Sequence, residues 1–163
     1  MLNMQDVERD IDNLHRVQME LQKIVSEAGA LGAFLVDENG FLIAEEGGIE
    51  IDRVALSALV AASFGATAEI ARLLGEADFT RMTHQGSTRN LFIGKAGSRH
   101  ILIVTFGRET NLGLVKLYAE KASELIGFIL DSDSVAEEPP SDKPPESKPG
   151  DLESGSLPSW MND

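Results

Sequence analysis

The chain has no cysteine among its 163 residues, which excludes disulfides, thiolate nucleophiles and cysteine-ligated zinc. Aromatic side chains are few, with one tryptophan, one tyrosine and seven phenylalanines. Positive charge is also scarce: 14 Lys and Arg face 27 Asp and Glu, a formal net charge of −13. Nucleic acid is therefore not an expected partner, since such binding rests on neutralising phosphates. Anionic lipid surfaces are disfavoured for the same reason. The opening MLNMQDVERD lacks a basic segment leading into an apolar run, so no secretory signal is read. No uninterrupted apolar stretch nears the roughly 20 residues that span a bilayer, and membrane insertion is not expected. The expectation is a soluble, cytoplasmic protein.

Proline is missing from the first 130 residues. All six prolines (Pro139, Pro140, Pro144, Pro145, Pro149 and Pro158) lie beyond residue 131. Residues 131–163 also hold nine of the acidic residues and only two of the basic ones. Such a segment buries too little surface to offset its chain entropy. It is expected to be a disordered, acidic, Pro-rich tail with polyproline character. The division is thus a domain over 1–130 and a tail over 131–163, the former long enough to bury a core. Leu157, Trp160 and Met161 near the end of the tail form a candidate docking motif. A flexible chain of ~30 residues places it roughly 30 Å from the domain. An exposed segment without a role is the alternative.

The first 130 residues alternate helix and strand. Val7, Ile11, Leu14, Gln18, Leu21 and Val25 mark an amphipathic helix over about 5–28, ending near Gly29. Two short apolar runs, Ala33–Val36 and Phe41–Ala44, flank Asp-Glu-Asn-Gly. They predict a hairpin with positive φ at Asn39 and Gly40. After a helix over 51–74, Phe79–His84 has the weak alternation of an edge strand. Asn90–Ile93 follows, then a turn at Lys-Ala-Gly-Ser. Ile101–Phe106 is apolar on both faces and fits a central strand. A last helix over about 112–130 aligns Val115, Tyr118, Ala119, Ala122, Ile126 and Ile129. The order α-β-β-α-β-β-β-α implies an α/β fold, a five-stranded antiparallel sheet with helices on both faces.

The 51–74 helix has two usable faces. At about 100° per residue, Leu56, Leu59, Val60, Ser63, Thr67, Ile70 and Leu74 form the expected core stripe. Opposite them lie Ala58, Ala61, Ala62, Gly65, Ala68, Glu69 and Arg72. Short side chains there let another backbone approach closely. Alanine's helix propensity alone accounts for the same composition.

Tests for chemistry return no constellation. Gly94-Lys95-Ala96 lacks the leading glycine and the Mg²⁺-binding hydroxyl of a phosphate loop, and reads as a turn. His15, His84 and His100 are scattered, without metal-ligand spacing. Glu45-Glu46 and Asp131/Asp133 are close only in sequence, and strand neighbours point to opposite faces. An arginine supplied in trans can accelerate GTP hydrolysis, but the sequence gives none of Arg81, Arg89, Arg99 and Arg108 that role, and their positions at strand or turn ends suit solvent at least as well. No catalytic residue, metal or cofactor is expected.

Several phrases in order resemble a known family: GAFLVDENGFLIAEEG (32–47), ARLLGEADF (71–79), HQG (84–86) and FGRETNLGLVKLYAEKAS (106–123). Over roughly residues 5–130 the chain resembles the roadblock/dynein light chain family, and within it the bacterial MglB type. The resemblance implies a homodimer in which Phe79, Thr80, Arg81, Met82, Thr83 and His84 pair across a two-fold axis. It also implies that the helix outer face (Ala58, Ala61, Ala62, Gly65, Ala68, Glu69 and Arg72) docks a small Ras-like, MglA-like GTPase. The implied activity is GTPase activation by reshaping the partner's own site, without an arginine finger. Nucleotide exchange through the tail, or tail docking on the GTPase or on polarity proteins, belongs to the same expectation. So does a setting in cell polarity or gliding motility, with concentration at a cell pole. Glu69 and Arg72 depart from the small face by adding charge. A roadblock-type scaffold that binds a GTPase without altering turnover is the alternative reading. A binder of small ligands in a cleft ranks last.

Overall fold

The computed structural model describes residues 3–134. The elements are α1 (Met4–Ala28), β1 (Gly32–Asp37), β2 (Leu42–Gly47), α2 (Arg53–Leu73), β3 (Arg81–Gln85), β4 (Arg89–Ala96), β5 (His100–Gly107) and α3 (Leu112–Ser134). The five strands form one antiparallel sheet in the order β2-β1-β5-β4-β3. Fold class and element order agree with the sequence reading. The suggested tail motif, Leu157, Trp160 and Met161, lies outside the described residues. Helix α3 continues to Ser134, past the boundary drawn at 130.

Strand β5 lies at the centre, paired with β1 on one side and β4 on the other. Its side chains alternate between two separate clusters. Leu102, Val104 and Phe106 join Val17, Leu21 and Ile24 of α1 and Val115, Ala119, Ala122 and Ile126 of α3. Ile101 and Ile103 face the other way, onto Val60, Ala61 and Phe64 of α2. One sheet face is thus covered by two helices and the other by α2.

Local chemistry explains the boundaries and several departures from expectation. Helix α1 starts at the Asn3 cap and stops where Gly29 adopts φ 72°. The β1–β2 turn needs one positive φ, at Gly40 (87°), and Asn39 takes none. Asp37 replaces the expected paired positive-φ turn: its Oδ1 accepts from the N–H groups of Asn39 and Phe41, both at 2.9 Å. A bulge between Leu35 and Val36 then shifts the register with β2. Gly94, Lys95 and Ala96 are strand rather than turn, because Lys95 N–H donates to Thr80 and β4 pairs through Ala96.

The expected inner stripe of α1 is also displaced. Asn13, Val17, Leu21, Ile24 and Ala28 are the buried residues, whereas Val7, Ile11 and Leu14 are exposed. Where α1 lies over the sheet, its buried residues sit on one side of the apolar seam read from the sequence.

Helix α3 and the β4–β5 turn approach each other at Gly127. A Cβ on Gly127 would lie 2.5 Å from the Gly97 nitrogen, closer than side-chain carbons come to backbone. Alanine gains about 1 kcal/mol over glycine in helix propensity, but overpacking against backbone costs about 1–3 kcal/mol. Gly127→Ala is therefore expected to lower stability, read as a reduced urea midpoint. A raised midpoint would refute this close approach.

Candidate protein-docking face

Helix α2 is positioned by its first turn. The Asp52 carboxylate caps it by accepting from Ala55 N–H at 3.0 Å, and Arg53 pairs with Glu45 of β2 at 2.6 Å. Its rotation is set by Phe64, the largest side chain in the helix, which enters the sheet cluster with Val60 and Ala61. Ser57 and Ala71 are buried on the same side, and the Ser57 hydroxyl donates to Arg53 O at 2.7 Å. Leu56 and Thr67 are half-buried, and Thr67 Oγ1 contacts Met82 Sδ of β3 at 3.1 Å.

This rotation corrects the two-face reading by about a quarter turn. Of the expected core stripe, Val60 is buried, whereas Leu59, Ser63, Ile70 and Leu74 are exposed. Of the expected outer residues, Ala61 is only 8% exposed and belongs to the core. Ala58 meets the β1–β2 turn, since a Cβ on Gly40 would lie 2.8 Å from its Cα. Ala58 itself stays exposed, as do Ala62, Gly65, Ala68, Glu69 and Arg72. The face turned from the sheet runs through Ala55, Leu59, Ala62, Ala66, Ile70 and Leu73, all exposed. Leu59 is 69% and Leu73 84% exposed. Large apolar side chains therefore replace the purely small surface that was expected. The missed signal was the spacing Ser57–Phe64–Ala71, which marks one side of a helix every seven residues.

Charge on this helix is locally balanced. Glu69 and Arg72 pair with each other on its exposed flank, so they add no net charge to the surface. By length and composition α2 would be able to cross a membrane, contrary to the expectation that no stretch comes near that. Its inner side is nevertheless committed to the sheet cluster, and Arg53, Glu69 and Arg72 are carried on the helix.

The edge proposed for dimer pairing is largely present. β3 spans Arg81–Gln85 at the end of the sheet, so Arg81, Met82, Thr83 and His84 lie on it, while Phe79 and Thr80 precede it. Met82 packs toward the α2 cluster, and Arg81 pairs with Glu120 of α3 at 2.7 Å. The opposite edge, β2, carries the bulge together with Glu45 and Glu46, features that discourage further strand pairing.

Two hollows accompany these elements. A groove of about 680 Å³ separates α3 from β3 and β4, lined by Arg81, Lys95, Glu120, Ser123, Phe128 and Asp131 among others. Most of its charged groups are tied up locally: Arg81 to Glu120, Lys95 to Asp78, and Asp131 to Ser98. A smaller hollow of about 170 Å³ lies beside Ala61, Phe64, Gly65 and Ala68 of α2 and His100 of β5. Burial holds the His100 imidazole below the usual histidine range, against the opposing pull of Asp131 and Asp37. His15 and His84 are separate exposed residues, and no group of three potential metal ligands occurs among the described residues.

Comparison with known proteins gives a consistent result. The Roadblock/LC7 domain matches residues 16–106. The gliding protein MglB of Thermus thermophilus is 33% identical, covers 74% of this chain and 92% of its own, and superposes with a TM-score of 0.71. Myxococcus xanthus MglB is 35% identical, with 73% and 90% covered and a TM-score of 0.70. An MglB in a tetrameric arrangement is 32% identical, with 74% and 91% covered and a TM-score of 0.71.

The burial difference along α2 separates fold from surface. Ala61→Arg forces a charge into the sheet cluster and is expected to lower stability by several kcal/mol. Ala62→Arg is expected to change it by less than about 0.5 kcal/mol. Urea unfolding of both variants checks this, and equal midpoints would contradict the observed rotation.

Proposed function

The chain belongs to the Roadblock/LC7 domain family, and from that premise we propose that it is a homodimeric regulator of a small Ras-like GTPase. It acts as a GTPase-activating protein of the MglB type, in cell polarity or motility, in the cytoplasm. The observation that carries this reading is the outer face of α2, where Leu59, Ile70 and Leu73 stand exposed around Ala62 and Ala66.

Magnitudes favour a paired platform. Burying one such large side chain contributes about 1.5–3 kcal/mol, so three of them give roughly 5–9 kcal/mol. Association costs about 4–15 kcal/mol. One helix is then a marginal binding site, while two α2 helices side by side are not. Pairing of β3 with its counterpart brings the two helices onto one sheet face, within reach of a single partner. A pair of such dimers forming a tetramer is part of the same proposal, on the model of the tetrameric relative.

The regulator has no catalytic group to contribute in this reading. Of the two arginines on the docking helix, Arg72 is engaged by Glu69 and Arg53 by Glu45. Activation then follows from an apolar surface that excludes water and holds the partner's own residues in their productive arrangement. This supplies positioning, which is most of what phosphoryl transfer requires. The tail motif, Leu157, Trp160 and Met161, is assigned an accessory contact with the GTPase or with a polarity partner, including promotion of exchange.

The test is GTP hydrolysis by the neighbouring-locus GTPase with stoichiometric regulator. Wild type is expected to raise the rate. Ala62→Arg, at the middle of the face, is expected to weaken binding by about tenfold or more. Binding without a rate change would assign a scaffolding role instead, and normal stimulation by Ala62→Arg would remove this surface from the mechanism.

Deleting residues 150–163 is expected to reduce partner binding or exchange while leaving the domain folded. Unchanged binding and unchanged turnover would remove the tail contact.

A further inference from the structure

The groove between α3 and the β3–β4 side of the sheet has an acidic wall. Glu120, Glu124 and Asp131 stand four and seven residues apart on α3, within about 40° of one another around the helix, and form one ridge along the groove. Two cations face that ridge from the sheet side. Lys95 is already neutralised by Asp78 at 2.6 Å, and Arg81 is taken by Glu120 at 2.7 Å. Among the described residues Glu124 has no ion-pair partner, and Phe128, one helical turn on, stands 70% exposed. The charge balance of the groove is therefore negative.

At the foot of the same wall lies a hydroxyl that the domain does not use. Ser26, Ser57, Thr67 and Ser132 each donate to the carbonyl four residues back in their helices. Ser123 does not. It is only 7% exposed, and its Oγ has no hydrogen-bond partner. A Cβ on Gly94 would lie 3.0 Å from that oxygen, so the hydroxyl is turned across the groove floor toward β4. A buried hydroxyl left without a partner is costly, and alanine would fill the same place without that cost. With no bond to break, rotation about χ1 can bring the hydroxyl to a group seated on the floor.

We propose that this groove docks an extended segment of another protein that carries basic side chains at alternate positions. From Glu120 to Ser132 the wall runs about 18 Å, the length of five or six extended residues at about 3.3 Å each. Glu120 and Glu124 are about 6 Å apart along the axis, close to the repeat of every second residue in such a segment. Basic side chains on one side of it then meet the carboxylate ridge, and apolar ones between them reach Phe128 and the floor over Phe92. A segment N–H seated on the floor partners Ser123. The chain's own residues 135–163 are unsuited, with seven acidic residues against two lysines, and a second copy carries the same net charge of −13. The groove lies on the sheet face covered by α1 and α3, opposite α2. Its occupant and a GTPase on α2 are bound together, which makes the domain a bridge between two partners.

The test is fluorescence anisotropy of labelled peptides with the full chain at physiological salt. One peptide is three Leu-Arg repeats and the other three Leu-Glu repeats. Wild type is expected to bind the first and not the second, more weakly as salt is added. Glu124→Gln is expected to weaken binding about threefold or more, and Ser123→Ala likewise, with urea midpoints retained or raised. Glu8→Gln, the same charge change on α1 outside the groove, is expected to leave the affinity unchanged. Both groove variants are expected to stimulate GTP hydrolysis as wild type does, so this inference can fail while docking on α2 stands. No binding by wild type, an unchanged affinity in either groove variant, or equal weakening by Glu8→Gln overturns the site. Loss of stimulation in both groove variants would merge the groove with the GTPase contact and overturn it as a separate site.

Discussion

Strand β5 sends its side chains alternately into two apolar clusters, so both faces of the sheet must be covered. Leu102, Val104 and Phe106 are met by two helices. Ile101 and Ile103 are met by α2, which must reach across β1, β4 and β5 to do so. The rest of the molecule follows from that asymmetry. Phe64, Val60 and Ala61 are drawn onto the sheet, and their rotation determines which α2 residues are left outside.

The outer residues are therefore a consequence of inner packing. Once Phe64 is seated, Leu59, Ile70 and Leu73 have no place in the domain and remain exposed. A single exposed leucine on a protein surface is ordinary. Three on one helix, with alanines between them and an ion pair beside them, are the surface on which the proposed docking rests.

Much of the architecture was legible from residue pattern. The run ILIVTF announced a strand covered on both faces, Gly29 marked the end of α1, and of the stripe read on α3, Val115, Ala119, Ala122, Ile126 and Ile129 are buried while Tyr118 is half-buried at its edge. Helix faces were less legible where apolar residues surround most of the helix. In α2, Leu59 and Ile70 are as suitable for a core as Val60 and Phe64, and periodicity alone cannot rank them. In α1, the seam through Val7, Ile11 and Leu14 is real, but the sheet extends beneath only part of the helix. The turn at residues 37–40 was placed correctly, though its geometry depended on the Asp37 carboxylate, a local bond that composition does not reveal.

Sequence by itself determined the order of elements, the central strand, the Pro-rich segment after residue 131 and the family. The first three rest on local periodicity, on turn chemistry and on the distribution of proline and charge, all properties of neighbouring residues, and the family rests on the resemblance carried by ordered phrases such as residues 32–47 and 106–123. Tertiary structure alone decided which side of α2 faces outward, that Ala61 is core, that Ala58 meets the hairpin turn and that the start of α1 lies uncovered. Each depends on volume matching between side chains distant in sequence. Phe64, seated in the cluster that holds Ile101 and Ile103, sets the helix rotation, and Gly40 against Ala58 sets how closely the hairpin approaches.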